Sequence, residues 1–594
     1  MRRRKLTWAL LLAGPLFFGK GVMAEAIPVE LKRTEQGWQL LRGGEPYFIR
    51  GAGGSHSLEA LAAAGANSVR TWGAEDVGPI LDEAHSLGLT VTVGIWLGHE
   101  RHGFDYNDKA QVDEQLERAR QIVLRYKDHP ALLLWGLGNE MEGFEDGDNP
   151  LIWKAVNDVA AMVKELDPHH PTMSVTAFVH GARIEYLHRR SPAIDIHGVN
   201  AYGGAQVVPE QLRAGGATKP FVLTEFGPLG PWEMPKTEWG APYEQTSSEK
   251  AEFYRQSYER GVADAPGLAL GSYAFLWGHK MEATATWFGM FLEDGSRLGA
   301  VDVMTELWSG EPRTDLAPTA RPLRIDGLAK LDPGAEIRVR SSLADPEGGS
   351  INTRWVLRPE SGDYATGGDF RPSLPEIEGA VLEGRDDGAR VRMPEEPGPY
   401  RLFLYAYDEA GNAATANVPL LVKGKPRMRL PVSVYDDSFE GMLWAPSGWM
   451  GGVDNLTLDG EFAETPYEGA SCIRMRYEGK FGWVGVAWQH PPNNWGDQDG
   501  GFDLTGASEL EFWARGEYGG EKISFGVGLL EKDRAHPDSG IRKVEGVELT
   551  REWQRYSVPL KKLDLTSIKT GFFLTLTGRS TPVTVYLDSI RFIR

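Results

Sequence analysis

Two glutamates, Glu140 and Glu225, are the residues of this sequence best suited to acid and nucleophile chemistry. Glu140 closes the segment Gly136–Glu140, and Glu225 lies within Thr224–Gly227. A pair of carboxyl groups can cleave a glycosidic bond, because one protonates the leaving oxygen while the other meets the developing oxocarbenium ion. The two residues are far apart in the chain, so only the fold can bring them together.

The expected separation of the two carboxyl groups sets the stereochemical prediction. If they lie roughly 5 to 5.5 Å apart, the second carboxylate attacks the sugar directly and the configuration is retained. Mutual repulsion would raise the pKa of one of them, so that Glu140 stays protonated as the acid. Glu225, near Arg70, would remain ionised as the nucleophile.

The elements expected to position these residues alternate between short β-rich runs and longer helical stretches as far as about residue 310, which is typical of βα units. Eight units in roughly 250 residues predict a closed (β/α)8 TIM barrel. The predicted strands are Tyr47–Gly51, Ser68–Trp72, Thr90–Trp96, Leu132–Leu137, Thr172–Phe178, Ile194–Asn200, Phe221–Glu225 and Ala269–Trp277.

An open doubly wound sheet is the alternative architecture. Its Gly-rich phosphate turn has a superficial counterpart in Gly51–Gly54. However, the next strand closes on Arg70–Trp72 rather than on an acidic residue, which disfavours that reading.

Active sites of such barrels lie at the C-terminal ends of the strands, so the last residues of each strand are the candidates. Besides the two glutamates, these are Arg70, Trp72, Trp96, Asn139, Asn200, Tyr202 and Trp277. Trp277 is a candidate sugar platform, since a flat aromatic face suits the apolar face of a pyranose. Core packing is the competing interpretation for Trp72, Trp96 and Trp135. The spacing of the histidines indicates no metal site, and no cofactor is expected for catalysis.

Strand-rich segments surround the predicted barrel. A β-hairpin over Val29–Arg50 precedes it, so that the catalytic domain would span residues 25–311. Short alternating strands over 312–424 predict an immunoglobulin-like β-sandwich. A second, larger sandwich is predicted over 430–594, which makes the chain a multidomain protein with a TIM barrel followed by two β-sandwich domains.

The composition limits the ligands that the protein is expected to bind, and the N-terminal residues indicate its cellular location. The net charge of −20 repels nucleic acid and anionic membranes, which leaves neutral ligands as the expected partners, and no pattern indicates an oligomeric state.

Residues 1–24 are predicted to be a signal peptide, with a basic start, a short apolar run and Ala24 before the cleavage point. A membrane anchor is the competing reading, but the run is too short to span a bilayer. We therefore expect a secreted or periplasmic protein without a membrane anchor after cleavage; its single cysteine, Cys472, rules out an internal disulfide.

Four segments together resemble the signatures of clan A glycoside hydrolases, most closely the TIM barrel of family 2 and also the transglycosylating family 72. They are Asn67–Arg70, Gly136–Glu140, Thr224–Gly227 and Gly271–Trp277, preceded by Gly43–Gly51. The resemblance covers about residues 28–310 and implies Glu140 as acid/base and Glu225 as nucleophile. It also implies that Asn139 donates to the sugar 2-hydroxyl, that Tyr202 lies near the nucleophile and that Arg70 lies beneath it.

The sequence departs from family 2 at two points. Residues 51–56 lack an asparagine that many members carry after the first strand, and both sandwiches follow the barrel rather than precede it. Substrate identity is therefore not carried over.

The C-terminal segment is similar to jelly-roll carbohydrate-binding modules of family 11 and its relatives, through Gly501–Thr505, Leu510–Ala514 and Val585–Ile590. Such modules often hold a structural calcium, for which the resemblance suggests Asp437 and Asp588; a pair of surface acids is the alternative. A sugar-facing patch is predicted among Trp444, Trp449, Trp483 and Trp495.

Three functions fit the sequence. The first is a retaining glycoside hydrolase that cleaves O-glycosidic bonds, expected to be β-linked, of a poly- or oligosaccharide. The second is a transglycosylase that uses the same two glutamates, and differs only in whether water or a sugar hydroxyl intercepts the covalent intermediate. The third is a secreted carbohydrate-binding protein without activity, which the presence of both glutamates at strand ends disfavours.

Overall fold

Eight parallel strands form a closed barrel, as predicted, in the computed structural model, which describes residues 26–142, 149–361, 374–424, 427–439 and 441–594. The last strand pairs with the first, so the sheet has no edge. The expected signal segment, 1–24, lies outside the described residues. Three strands precede the barrel: β1 is Val29–Thr34, β2 is Gly37–Arg42 and β3 is Glu45–Tyr47. The barrel strands β4 to β11 are, in chain order, Ile49–Gly53, Ser68–Arg70, Thr90–Ile95, Leu132–Asn139, Thr172–Ala177, Ile196–Asn200, Phe221–Phe226 and Ala269–Ala274.

Helices follow the strands on the outside of the barrel. Their α-helical segments are Leu58–Ala63, Val77–Ser86, Lys109–Tyr126, Pro150–Leu166, Arg183–Glu185, Val208–Ala214, Ser247–Tyr258 and Gly299–Ser309. Short 3-10 or π turns lie at Glu100–His102, Tyr186–Arg190, Ala205–Val207 and Glu259–Ala263. Local sequence sets several helix starts; Thr246 and Glu249, for example, form a reciprocal capping box at Ser247–Tyr258.

The barrel strands are buried on both faces, because helices cover the outside and side chains fill the inside. Tyr273 shows how the interior is packed: its hydroxyl contacts Ser68 at 2.8 Å and Thr92 at 2.5 Å. Gly51 makes room for this ring, since a Cβ there would come within 2.7 Å of it. The bottom of the barrel is thus a solid core and the mouth is the open end.

The strands β1, β2 and β3 form a small antiparallel sheet rather than the two-strand hairpin predicted, because the chain turns again between Thr34 and Gly37. Val29 and Leu40 of this sheet pack into one cluster with residues of the barrel strands, including Ile49 and Leu133. Backbone bonds from Val29 and Trp38 to loops of the barrel fix it in place.

The segment after the barrel forms a β-sandwich of two main sheets. Its strands are Thr319–Ala320, Arg324–Ile325, Lys330–Leu331, Glu336–Arg340, Leu343–Ala344, Asn352–Pro359, Val381–Arg385, Gly388–Arg392, Gly398–Tyr407 and Asn412–Val422. Strand Arg297–Leu298, which comes before the last barrel helix, pairs in parallel with Asn412–Val422. The barrel region and the sandwich therefore share a sheet across the predicted boundary at 311/312.

Buried polar contacts also join the barrel to the sandwich. Arg401 of the sandwich is almost fully buried, forms an ion pair with Glu360 at 2.9 Å and donates to the carbonyl of Pro242 at 2.7 Å. Pro242 belongs to the segment that follows the seventh barrel strand. The sandwich consequently holds a loop that begins at the mouth of the barrel.

The C-terminal segment is a second and larger β-sandwich with its own core. Its strands are Val432–Tyr435, Ala445–Gly451, Leu456–Phe462, Cys472–Tyr477, Trp483–Gln489, Glu509–Gly516, Lys522–Val527, Arg542–Glu548, Gln554–Pro559, Thr570–Thr577 and Val583–Ile593, with a 3-10 turn at Val453–Asn455. Within the described part of the chain, no helix has the length and apolar character needed to cross a membrane.

Candidate active site at the barrel mouth

The C-terminal ends of the second, fourth, sixth and seventh barrel strands bring the predicted polar residues together. Arg70 ends β5, Asn139 ends β7 and is followed by Glu140, and Glu225 lies at the end of β10. Two of these side chains, Arg70 and Glu225, are almost completely buried. The site is therefore a preformed cluster beneath the mouth.

Glu225 is held by three donors. Arg70 Nη1 lies 3.0 Å and Trp72 Nε1 lies 2.7 Å from its Oε1. The hydroxyl of Tyr202 donates to Oε2 at 2.9 Å. Together the three donors fix the position of both carboxylate oxygens.

Glu140 has a different environment. Among the residues that the structure describes, its side chain accepts one hydrogen bond, from Asn200 Nδ2 at 2.7 Å. Burial, followed by the charge of Glu225, raises the pKa of Glu140 from 4.5 to about 7. Its backbone has a φ of 51°, a left-handed conformation that non-glycine residues rarely adopt and that occurs often at functional sites. At neutral pH a large fraction of Glu140 therefore keeps its proton.

A continuous chain of hydrogen bonds links the two glutamates. Asn200 Nδ2 contacts both Glu140 and, at 3.2 Å, Asn139 Oδ1. The same Oδ1 accepts from Arg70 Nη2 at 2.7 Å, and Arg70 in turn holds Glu225. The two glutamates meet at one mouth, as the sequence predicted.

Tyr202 joins the charged cluster to an aromatic wall. Burial and the neighbouring Glu225 raise the pKa of Tyr202 well above 10, so the hydroxyl keeps its proton and donates. Its ring packs against Phe275 and Phe288, with centroids 5.9 and 5.2 Å apart. This packing fixes the hydroxyl in its place at Glu225.

The two predicted sugar-binding tryptophans have different positions. Trp96, after the third barrel strand, is partly exposed and stacks on His99 with ring centroids 4.9 Å apart. Trp277 is only 1% exposed, packs against Phe291 and Trp308, and donates to the carbonyl of Ser57. The prediction that Trp277 is a sugar platform is therefore wrong, because its ring is covered on the outer side of the eighth strand's end.

Two of the predicted candidates had been given no role in the sequence. Trp72 and Asn200 were candidates only as residues at strand ends, and the structure shows that they donate directly to Glu225 and Glu140. Trp232, in the loop after the seventh strand, was not among the candidates. It is 53% exposed and lies against Tyr202.

Asp437 and Asp588, the two residues suggested as calcium ligands, both accept hydrogen bonds from backbone amides. Asp588 Oδ2 accepts from the amides of Tyr467 and Glu468, and Asp437 Oδ1 accepts from those of Ala470 and Ser471. Among the residues that the structure describes, no group of three or more His, Cys, Asp or Glu side chains could hold a metal ion. The calcium site thus remains a prediction, with the two acids acting here as caps of the loop between them.

The tryptophans of the C-terminal sandwich divide into core and surface. Trp444 is fully buried. Trp449 and Trp483 are about half exposed and lie on two paired strands, and Trp495 is partly exposed. The strand pair thus presents two aromatic faces to solvent.

A closed barrel with two carboxylates at the ends of its fourth and seventh strands is the architecture of a glycosidase catalytic domain. Comparison with known families agrees: residues 59–234 match the family described as glycosyl hydrolases family 2, TIM barrel domain. Residues 432–594 match carbohydrate binding domain 30, whereas the motifs had suggested family 11 and its relatives. The predicted resemblance to a family 2 glycosyl hydrolase barrel followed by a carbohydrate-binding domain is thus confirmed at the level of these two matched segments.

Similarity to individual proteins is more distant. A protein of Aspergillus terreus described as a probable mannan endo-1,4-beta-mannosidase C is 26% identical over 156 residues, which cover 22% of this chain and 38% of that relative. A Bacteroides uniformis beta-glucuronidase structure has 13% identity and a TM-score of 0.37, and covers 95% of this chain and 67% of its own. A family 5 mannosidase of Rhizomucor miehei has 15% identity and a TM-score of 0.37 over 48% of this chain and 97% of its own.

Proposed function

We propose that the protein is a retaining glycoside hydrolase that cleaves β-linked poly- or oligosaccharides by double displacement. Glu225 is the nucleophile and Glu140 is the acid in the first step and the base in the second. The observation that carries this proposal is the contrast between the two linked carboxyl groups. Glu225 accepts three hydrogen bonds, one of them from the guanidinium of Arg70, while burial and Glu225 itself raise the pKa of Glu140 to about 7.

In the first step Glu225 attacks the anomeric carbon and Glu140 protonates the departing oxygen. The bond to the leaving group breaks as the bond from carbon to Glu225 Oε forms, so the sugar is attached to the enzyme. Formation of this ester neutralises Glu225, which removes the charge that raises the pKa of Glu140. Glu140 is then a carboxylate able to take a proton from the incoming water.

The remaining polar residues position these two groups and the substrate. Arg70 and Tyr202 hold the two oxygens of Glu225, which orients one lone pair towards the sugar. Asn139 uses its Oδ1 to accept from Arg70 and Asn200, which fixes its amide so that Nδ2 can donate to the sugar 2-hydroxyl. Trp96 is proposed as a sugar contact on the opposite side of the mouth.

The C-terminal domain is proposed to bind polysaccharide through the exposed ring of Trp483. An exposed indole presents an apolar face of the kind that stacks on pyranoses. Binding there would keep the catalytic barrel close to an insoluble or branched substrate. The name of the fungal relative makes β-1,4-mannan the first substrate to test.

Export is part of the same proposal. The basic start, the apolar run and Ala24 support cleavage before Glu25 and release into the periplasm or the medium. N-terminal sequencing of the mature protein from the native host tests this. A first residue at Glu25 is expected, and a retained Met1 would contradict it.

The test of function is a pair of matched variants assayed on β-mannan, β-glucan and β-galactan. Glu225→Gln should fold normally and lose turnover by about a thousandfold or more, because a neutral amide cannot form the glycosyl ester. Glu142→Gln is the control: it alters a buried carboxyl only two residues from Glu140, but one bound by Arg183 and the amide of Ala177. It should keep turnover within about tenfold. Full activity in Glu225→Gln would refute the proposal.

A further inference from the structure

The loop that follows the seventh barrel strand presents an exposed tryptophan beside the nucleophile's partner. Trp232 is 53% exposed, and its ring centroid lies 5.7 Å from that of Tyr202 and 6.4 Å from that of Phe288. Tyr202 is the residue that donates to Glu225. An exposed indole is unusual because it leaves a large apolar surface in water, and here it borders the cluster that contains both glutamates.

The indole is held in place by its neighbours in the chain. Glu233 accepts from the amide of Gly203 with both oxygens at 3.0 Å, and from the amide of Gly230 at 2.7 Å. The ring of Trp232 lies over Gly230, where a Cβ would approach it to 2.4 Å. These contacts tie the tip of the loop to the segment after the sixth strand, so the exposed ring has a fixed position before any ligand arrives.

The opposite side of the mouth also carries a tryptophan. Trp96 follows the third strand and Trp232 follows the seventh, and in a closed ring of eight strands these two lie across from each other. Glu225 lies at the end of the seventh strand, from which the loop of Trp232 continues. A sugar attacked by Glu225 therefore has Trp232 close to one side, next to Tyr202.

We propose that Trp232 is a specificity-determining residue that stacks on a sugar next to the one being cleaved. The barrel would accordingly select β-linked chains of two or more sugars over simple monoglycosides. This inference rests on the proposed function and adds its substrate class. The far end of the same loop supports it, because Arg401 and Lys330 of the sandwich bind Pro242 and Glu238 and keep the loop from moving away.

The experiment compares a substrate that reaches Trp232 with one that does not. Mannotetraose, cellotetraose and laminaritetraose serve as the chains, and the matching β-glycosyl fluorides carry only the reacting sugar. In Trp232→Ala, KM for the cleaved tetraose should rise about tenfold, while kcat/KM for the fluoride stays within about twofold. Trp232→Phe should recover most of the loss, because it retains an aromatic face.

Tyr518→Ala is the control, since Tyr518 is also an exposed aromatic residue, 71% exposed, but lies in the C-terminal domain between strands Glu509–Gly516 and Lys522–Val527. It should leave both soluble substrates unchanged. The inference is overturned if Trp232→Ala hydrolyses the tetraose like the wild type, or if it loses activity equally on the tetraose and the fluoride. If the wild-type protein hydrolyses neither substrate, the proposed function fails as well, so the two failures are distinguishable.

Discussion

The pKa of Glu140 sets the alkaline side of the expected pH profile. Burial and Glu225 raise it to about 7, and the acid must be protonated to expel an unactivated leaving group. Such a group is about nine-tenths protonated at pH 6 and about one-tenth at pH 8, so kcat/KM should fall about tenfold between these values. With its ordinary pKa, only about 3% of the residue would be protonated at pH 6.

The variant Glu140→Gln removes the titrating group itself. An amide cannot give up a proton, so kcat/KM for an oligosaccharide should fall roughly 100- to 10,000-fold. A dinitrophenyl glycoside needs no acid, so its first step should stay fast and its kcat/KM should lose the alkaline limb near pH 7. Added azide should restore overall turnover with this substrate, because azide attacks the glycosyl ester without needing a base.

The assay measures kcat/KM between pH 5 and 9 for both substrates, with circular dichroism to confirm folding. Asn200→Ala gives an independent check of direction, because the hydrogen bond from Asn200 lowers the pKa of Glu140. Without that bond the alkaline limb should move to higher pH. A limb near pH 7 that persists in Glu140→Gln with the activated glycoside would refute the reasoning.

Three other predictions concern the surroundings of the site. Arg70→Lys should lower kcat roughly 100-fold in steady-state assays, because one ammonium cannot bind Glu225 and Asn139 with the geometry of the guanidinium. Arg401→Ala should lower the free energy of unfolding by about 3 to 5 kcal/mol in denaturant titrations, since it removes one partner of a buried ion pair together with the bonds to Asn417 and to the carbonyl of Pro242; a loss below about 1 kcal/mol would be typical of an exposed pair and would contradict this. Trp483→Ala should weaken retardation in polysaccharide affinity gels, and unchanged migration would argue against the proposed binding face.

The sequence was sufficient to predict the barrel because its strands are short β-rich runs that alternate with longer helical segments. The ends of those runs located Arg70, Asn139, Glu140 and Glu225, since parallel strands in a closed barrel all end at one face. The structure places these residues in one hydrogen-bonded cluster. The amino-acid composition alone could not have identified these site residues, because they were identified by their positions at the ends of the predicted strands.

The errors came from places where the chain leaves the strands. Trp277 was expected at the mouth, but the eighth strand ends at Ala274 and the next turn carries the ring onto Trp308 of the last barrel helix. Trp232 was not among the predicted site residues, because its position beside Tyr202 depends on a long loop and on contacts from Glu233 and the following sandwich. Such tertiary contacts leave no periodic pattern in the sequence.

The most direct test of the central claim is to trap the covalent intermediate. The protein is incubated with a 2-deoxy-2-fluoro β-glycoside of a sugar that it hydrolyses and that bears a good leaving group. The labelled protein is then digested with pepsin and sequenced by mass spectrometry. We expect one sugar per chain, attached to Glu225, and hydrolysis products that first appear with the anomeric configuration of the substrate. A label on another residue, or products of inverted configuration with no label, would contradict the assignment of Glu225 as nucleophile.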